Sequence, residues 1–319
     1  MMYQFLQSNL REFLGEMHRC LPFFFALICI TNEIRLKNIL LVILVTNMIN
    51  DPAGIYQWFA LNIPRPYAFN HTATFFGSML LIQFPVHLFI AQLKIFPSII
   101  RKLAYFACGL TIFSLAISLT RGAWLAFIIV GVTFILLEMN RKFLMIFICS
   151  TVILLTAAAM LSPLFLKTIK TCTDLNYSSN TERILMWKSS WEIFKDYPIH
   201  GVGQEMFFKA YNEQYISQEA PDQPGKDGNE GHSHPHSNFF KILSEGGIIG
   251  ITAFIFLHGY FFRKFYRMYR LNNSRAGLIA FLILLGLQIE GLTDTNMNQV
   301  PIMREYWLII GILLSPIKK

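Results

Sequence analysis

The sequence predicts an all-α, polytopic transmembrane helix bundle of about nine spans, with one long periplasmic loop containing short amphipathic helices. Three observations carry this. Apolar runs of near-spanning length recur along the chain. Charged residues make up 14% of it, against about 25% in soluble domains, too few to cover a water-facing surface. And Lys and Arg gather in every second turn, as they do on the cytoplasmic side of membrane proteins.

The apolar runs before the loop are about 20–34, 38–50, 72–93, 103–119, 122–138 and 143–165; those after it are 239–262, 276–292 and 305–316. A spanning helix needs about 20 apolar residues. The first, second and last runs are short, so the count of nine holds to within one or two. Met1 to Cys20 is mixed and polar, with Arg11, Glu12, Glu16, His18 and Arg19 inside it, and no signal peptide is expected there. The chain divides into N-terminal transmembrane helices (1–165), the loop (166–238) and C-terminal transmembrane helices (239–319).

A net charge of +8 raises the question of nucleic acid, and its distribution answers it. Arg35 and Lys37, Lys94, Arg101 and Lys102, Arg141 and Lys142, Arg263 to Arg275, and Lys318 and Lys319 occupy alternate turns, and the short turns between hold Arg65, Arg121 and Arg304. The excess charge therefore orients the chain, with the C-terminus cytoplasmic and the loop periplasmic. The loop itself holds ten acidic residues against seven Lys and Arg. An odd span count starts the N-terminus outside, which leads us to expect a missed span or further spans upstream. Cys20, Cys29, Cys108, Cys149 and Cys172 form no CxxC pair and predict no disulfide framework.

Within the loop, Ser179 to Glu182 has the form of a capping box. Behind it Ile184, Trp187, Trp191 and Phe194 recur at helical spacing, and Pro198 and Gly201 end the pattern. A second amphipathic stretch runs from Gln204 to Ile216, with Phe207, Ala210, Tyr211 and Tyr215 on one side. Ser217 to Gly231 is rich in Pro, Gly and charge and reads as a mobile loop.

Four groups could carry chemistry. His232, His234 and His236 alternate, so an extended segment points all three to one face. They fit a zinc site, a polar turn, or a general base, since imidazole takes a proton near neutral pH without a cofactor. Arg121 opens a span on the side where cations are disfavoured; it either snorkels to water or serves a site. Arg183 lies one helical turn before Trp187, as a surface Arg on an indole or as an anion clamp, because its fork of donors holds phosphate bidentately. Glu290 and Asp294 read as the solvated end of a span. Gly246, Gly247 and Gly250 read as packing that fixes the angle of the helix carrying His236. No phosphate-binding glycine loop and no nucleophile elbow occur in the sequence.

Three of these segments together resemble the O-antigen ligase family of Gram-negative inner membranes. That family has His, then Asn, Ser or Gln, then nine residues, then GxxG; here His236-Ser237 precedes nine residues and Gly247-Ile248-Ile249-Gly250. Arg121-Gly122-Ala123-Trp124 opens a span, and Arg183 with Trp187 is followed by Tyr197 to Gly203. The resemblance covers about residues 70–300. It implies a bundle of about twelve helices, so this chain looks short by three N-terminal spans. It implies inverting, metal-independent transfer, with no cofactor, of a glycan from undecaprenyl diphosphate to a sugar hydroxyl of lipid A core. The partners implied are that carrier-linked glycan, lipid A core and membrane lipid, with no nucleic acid. Arg121 and Arg183 would hold the diphosphate and His236 would be the base, with His234 and Trp187 in support. An O-antigen polymerase shares the pattern. A transporter would be expected to bury charges within its spans, whereas here nearly all lie at span ends.

The alternating basic turns predict Lys319 in the cytoplasm and Lys226 in the periplasm. With cysteine placed at each site and a membrane-impermeant thiol reagent applied to intact spheroplasts, position 226 should label and 319 should not; the reverse pattern overturns the orientation.

Overall fold

The computed structural model describes residues 2–138, 149, 152, 156, 160, 163–172, 174, 176–220 and 234–315, with the backbone alone for 2–14, 16 and 163. Its α-helices are α1 (Met2–Cys29), α2 (Glu33–Phe59), α3 (Ala73–Gln92), α4 (Ser98–Ile117), α5 (Arg121–Glu138), α6 (Pro163–Thr171), α7 (Ser178–Asp196), α8 (Phe207–Ala210), α9 (Asn238–Asn272), α10 (Arg275–Glu290) and α11 (Val300–Leu314). A π-helical turn covers Tyr211–Tyr215 and a 3₁₀ turn Asn296–Asn298; no strand occurs among the described residues. The helices form two compact units. A loop unit comprises Met1–His18, Thr173–Arg263 and Gly291–Asn298, and a bundle unit Arg19–Cys172, Lys264–Glu290 and Gln299–Lys319.

Among the described residues five helices are long and apolar enough to cross a membrane: α2, α3, α4, α5 and α9. The apolar part of α1 is limited to Met17–Cys29. Helices α10 and α11 have 16 and 15 residues, about 22–24 Å at 1.5 Å per residue, below the roughly 30 Å of a bilayer core. The run at 143–165 lies largely outside the described residues, as do 221–233, where most of the expected mobile loop falls, and Lys318 and Lys319.

In the bundle unit α3 is the central helix, buried along most of its length. The Thr72 hydroxyl caps it by accepting from Phe75 N at 3.2 Å, which satisfies one of the amides a helix start leaves open. Phe84 of α3 meets Phe127 of α5 edge-on at 4.9 Å, and Leu278 and Leu282 of α10 complete that core. One charge departs from the expected placement at span ends: Asp51, 1% exposed, sits well inside α2, because that helix continues through Pro52 to Phe59. A short polar chain meets one of its two oxygens. Thr111 Oγ1 donates to Asp51 Oδ2 (2.7 Å) and contacts His87 Nδ1 (3.2 Å), and His87 Nε2 meets Asn47 Nδ2 (3.2 Å).

The loop unit also departs from the sequence reading. The N-cap of α7 is Tyr177, with no side-chain cap bond, so the helix starts just upstream of the expected capping box. Its buried residues are Leu185, Met186, Ser189, Ser190 and Ile193. The aromatic stripe that patterns the sequence instead stays partly exposed, Trp191 at 48%. Met186 and Ile193 pack on Phe207 and Tyr211, whose rings stack at 5.3 Å.

Gly247 breaks α9, with φ 58° and ψ −153°, a region open essentially to glycine alone. The break frees backbone groups that a helix would otherwise pair. Residues 198–203 take them: Val202 N donates to Ser244 O (2.9 Å), Gly203 N to Glu245 O (3.0 Å), Ile248 N to Pro198 O (2.8 Å) and Ile249 N to Ile199 O (3.3 Å). So the glycine segment receives a loop at one point, Gly247, and Gly246 has open space around it.

These geometries make neighbouring glycines unequal. A Cβ on Gly247 would stand 2.6 Å from the Ile199 backbone, so Gly247→Ala should cost about 3 kcal/mol. Gly246→Ala should be neutral or slightly stabilising. Thermal unfolding of the two variants in detergent checks this, and equal shifts contradict it.

Candidate functional site

The site grows from the first turn of α9. The Asn238 amide donates to Gly291 O at 2.8 Å and Asp294 O at 3.1 Å. Its side chain donates to Asn296 Oδ1 at 2.7 Å and accepts from Met297 N at 3.3 Å. These bonds sew the helix start to the 291–298 turn. Just upstream His236 takes φ 48°, a left-handed conformation that costs a non-glycine residue about 1–3 kcal/mol and concentrates at functional sites.

The turn places His236 Nδ1 3.9 Å from Asp294 Oδ1, their side chains 33% and 14% exposed. That is ion-pair range, longer than a hydrogen bond. The His234 and His236 rings meet edge-on at 4.4 Å. Trp187, reaching from α7, donates Nε1–H to Pro235 O at 2.9 Å and stacks on Phe240 at 5.3 Å. The indole thereby holds the histidine segment between two helices.

Burial alone would raise the Asp294 carboxyl. The His236 imidazole, the Thr295 amide and the Arg183 guanidinium outweigh it and hold the carboxyl below its ordinary value. Thr295 N bonds Oδ1 at 2.7 Å. A carboxylate facing Nδ1 favours the tautomer with its proton there, which leaves Nε2 as the basic nitrogen. The arrangement can take a proton from a hydroxyl and stabilise the imidazolium that forms.

The far end of this first segment of α9 is tied as firmly. Buried Lys241 donates to both Glu245 carboxylate oxygens at 2.8 Å and meets Glu205 Oε1 at 3.2 Å. Glu245 in turn accepts from Phe207 N at 3.3 Å.

The loop unit thus brings together Arg183, Trp187, His234 and His236. Arg121 belongs to the bundle unit, where it opens α5 and its Nη1 donates to Thr171 O at 3.1 Å, at the C-terminal end of α6. His232 lies outside the described residues. Among the described residues no group of three metal-ligating side chains occurs. The expectation for the two carboxylates is corrected: neither is a solvated span end. Asp294 faces His236, and Glu290, fully buried in the bundle unit, accepts from Ser78 Oγ at 2.7 Å. No spacing in the sequence announces the Asp294 contact, which the fold makes by bonding the 291–298 turn to the start of α9.

Residues 106–255 match the model of the family described as O-antigen ligase. The chain is also 26% identical over 213 residues to an O-antigen ligase of Salmonella typhimurium (strain LT2). That alignment covers 62% of this chain and 48% of the relative, so the chain spans about half the length of the protein it matches. The family resemblance carried by the three motifs is thereby shown. The matched stretch holds Arg121, Arg183, His234, His236 and Gly247; Asp294 lies beyond it.

The depressed Asp294 carboxyl sets a pH window. Its contribution to stability is fully present above the unfolded value of about pH 4 and is lost as pH falls through the lower folded value. Asp294→Asn lacks that component. Wild type should therefore be more stable at pH 7, with the gap closing below about pH 4. A gap unchanged between pH 7 and pH 3 contradicts the assignment.

Proposed function

From a chain that carries the O-antigen ligase domain over residues 106–255, we propose a multi-pass glycosyltransferase of the bacterial inner membrane. It has about nine spans, and its active site faces the periplasm. It moves an O-antigen glycan from undecaprenyl diphosphate to a sugar hydroxyl of lipid A core, without metal and with inversion.

The observation that supports this best is His236 beside Asp294, in a unit that also holds Arg183. His236 Nε2 accepts the proton of the acceptor hydroxyl as that oxygen attacks the anomeric carbon. The bond from that carbon to the diphosphate oxygen breaks from the opposite face, and its electron pair leaves with the diphosphate. Arg183 and Arg121 hold the diphosphate and stabilise the charge that grows on it. Trp187 positions the histidine segment, and His234 shapes it. Because the leaving group departs as a stabilised anion, one base suffices and no pair of catalytic carboxylates is required.

The test is transfer by the full chain in detergent, with single variants and with and without EDTA. General-base assistance is worth about a hundred- to ten-thousand-fold, so His236→Ala should lose about that much. His232→Ala should lose little and His234→Ala an intermediate amount. Arg→Lys at 121 or 183 should already impair transfer, because a point charge cannot replace the bidentate fork. Comparable losses at all three histidines with chelator sensitivity would replace the base by a metal site. An active His236→Ala enzyme removes the mechanism.

A further inference from the structure

The loop unit contains a second concavity that this mechanism does not use. A cleft of about 300 Å³ opens between residues 197–206 and the helical turn that follows. Its polar and aromatic lining is Tyr197, His200, Lys209, Glu213, Gln214 and Tyr215. The volume is at the lower end for ligand pockets.

Its walls are unusually built. One is the π-helical turn Tyr211–Tyr215, a rare conformation found mostly at functional sites. The other bends through left-handed backbone at Gly201, Gly203 and Glu205 (φ 64°, 101° and 57°). A Cβ at Gly201 would meet the Glu245 backbone at 2.3 Å, so this wall lies directly on α9. Tyr215 is fixed at both ends: its hydroxyl donates to Asp196 Oδ2 at 2.6 Å, and its carbonyl accepts from Ser189 Oγ at 2.6 Å. His200 Nδ1 faces Gly201 O at 2.7 Å. Because a carbonyl only accepts, that nitrogen carries a proton, and in the neutral ring Nε2 is then an acceptor.

The lining chemistry selects a ligand class. Lys209 and Glu213 cancel in charge, which disfavours an anion such as diphosphate. Lys209 offers donors, Glu213 acceptors, and Gln214 both. Two tyrosines, Tyr197 at 41% exposure, supply flat apolar faces. Alternating hydroxyls that need both donors and acceptors, on a ring with one apolar face, describe a pyranose.

We propose that this cleft is an oligosaccharide subsite holding one or two sugar rings of a transfer substrate away from the reacting bond. It rests on the glycosyl-transfer reading. The glycan can belong to the donor or to the acceptor, and both present the same chemistry.

The test uses the full chain in nanodiscs and saturation-transfer NMR, with two probes: an O-antigen repeat oligosaccharide and lipid-free core oligosaccharide. Wild type should bind at least one of them, and the responding probe identifies donor or acceptor. Tyr197→Ala and Glu213→Gln should each weaken that binding about tenfold, a loss of about 1.4 kcal/mol. His236→Ala should bind as wild type does, which separates this subsite from the catalytic assignment: an active His236→Ala enzyme would sink the mechanism and leave this measurement standing. Binding of neither probe, or wild-type affinity in both cleft variants, overturns the subsite.

Discussion

A backbone group removed from water must find a partner, and the loop unit is organised around one place where a helix cannot supply it. The break at Gly247 releases carbonyls on one side and amides on the other, and residues 198–203 take both sets through four hydrogen bonds. Each such bond is worth about 0.5–1.5 kcal/mol net. The larger quantity is the penalty avoided, since four unpaired groups would cost several kcal/mol together. The left-handed residues at 201 and 203 follow from the same need, because only there can the loop backbone lie against the helix backbone.

The chemistry depends on that arrangement. The segment 238–246 is pinned at its far end by the loop and by Lys241 with its two glutamates, and at its near end by Asn238. A helix held at both ends carries His236 at a fixed height above the 291–298 turn, where Asp294 waits. Positioning of this kind is what lets one base act without a metal: the base and the group that orients it are set before substrate arrives. Strain at His236 itself is tolerated because the bonds on either side over-determine its backbone.

Much of this was legible in the residues. Apolar run length marked α3, α4, α5 and the start of α9, and the glycine register after His236 marked the segment that matters. What the glycines do was half legible. Close approach was expected, but of a neighbouring helix; the partner is a loop, whose polar backbone matches the freed groups better than another helix could. The capping box and aromatic stripe of α7 misled for a common reason. Trp187 and Trp191 dominate any hydrophobic pattern, yet a large amphipathic ring is content half exposed, and small Ser189 and Ser190 take the buried face. Asp294 and Asp51 were illegible because their environments come from other helices: each looks like a turn or span-end carboxylate until the fold surrounds it.

If the loop and the broken helix are one cooperative element, their amides must open together. Hydrogen–deuterium exchange of the full chain in nanodiscs tests this directly, read at the amides of Val202, Gly203, Ile248 and Ile249. The account predicts slow exchange at all four, with a common opening free energy and a common response to mild denaturant. Rapid exchange at Val202 and Gly203 while Ile248 and Ile249 stay protected would contradict it, since the helix break would then be satisfied without the loop.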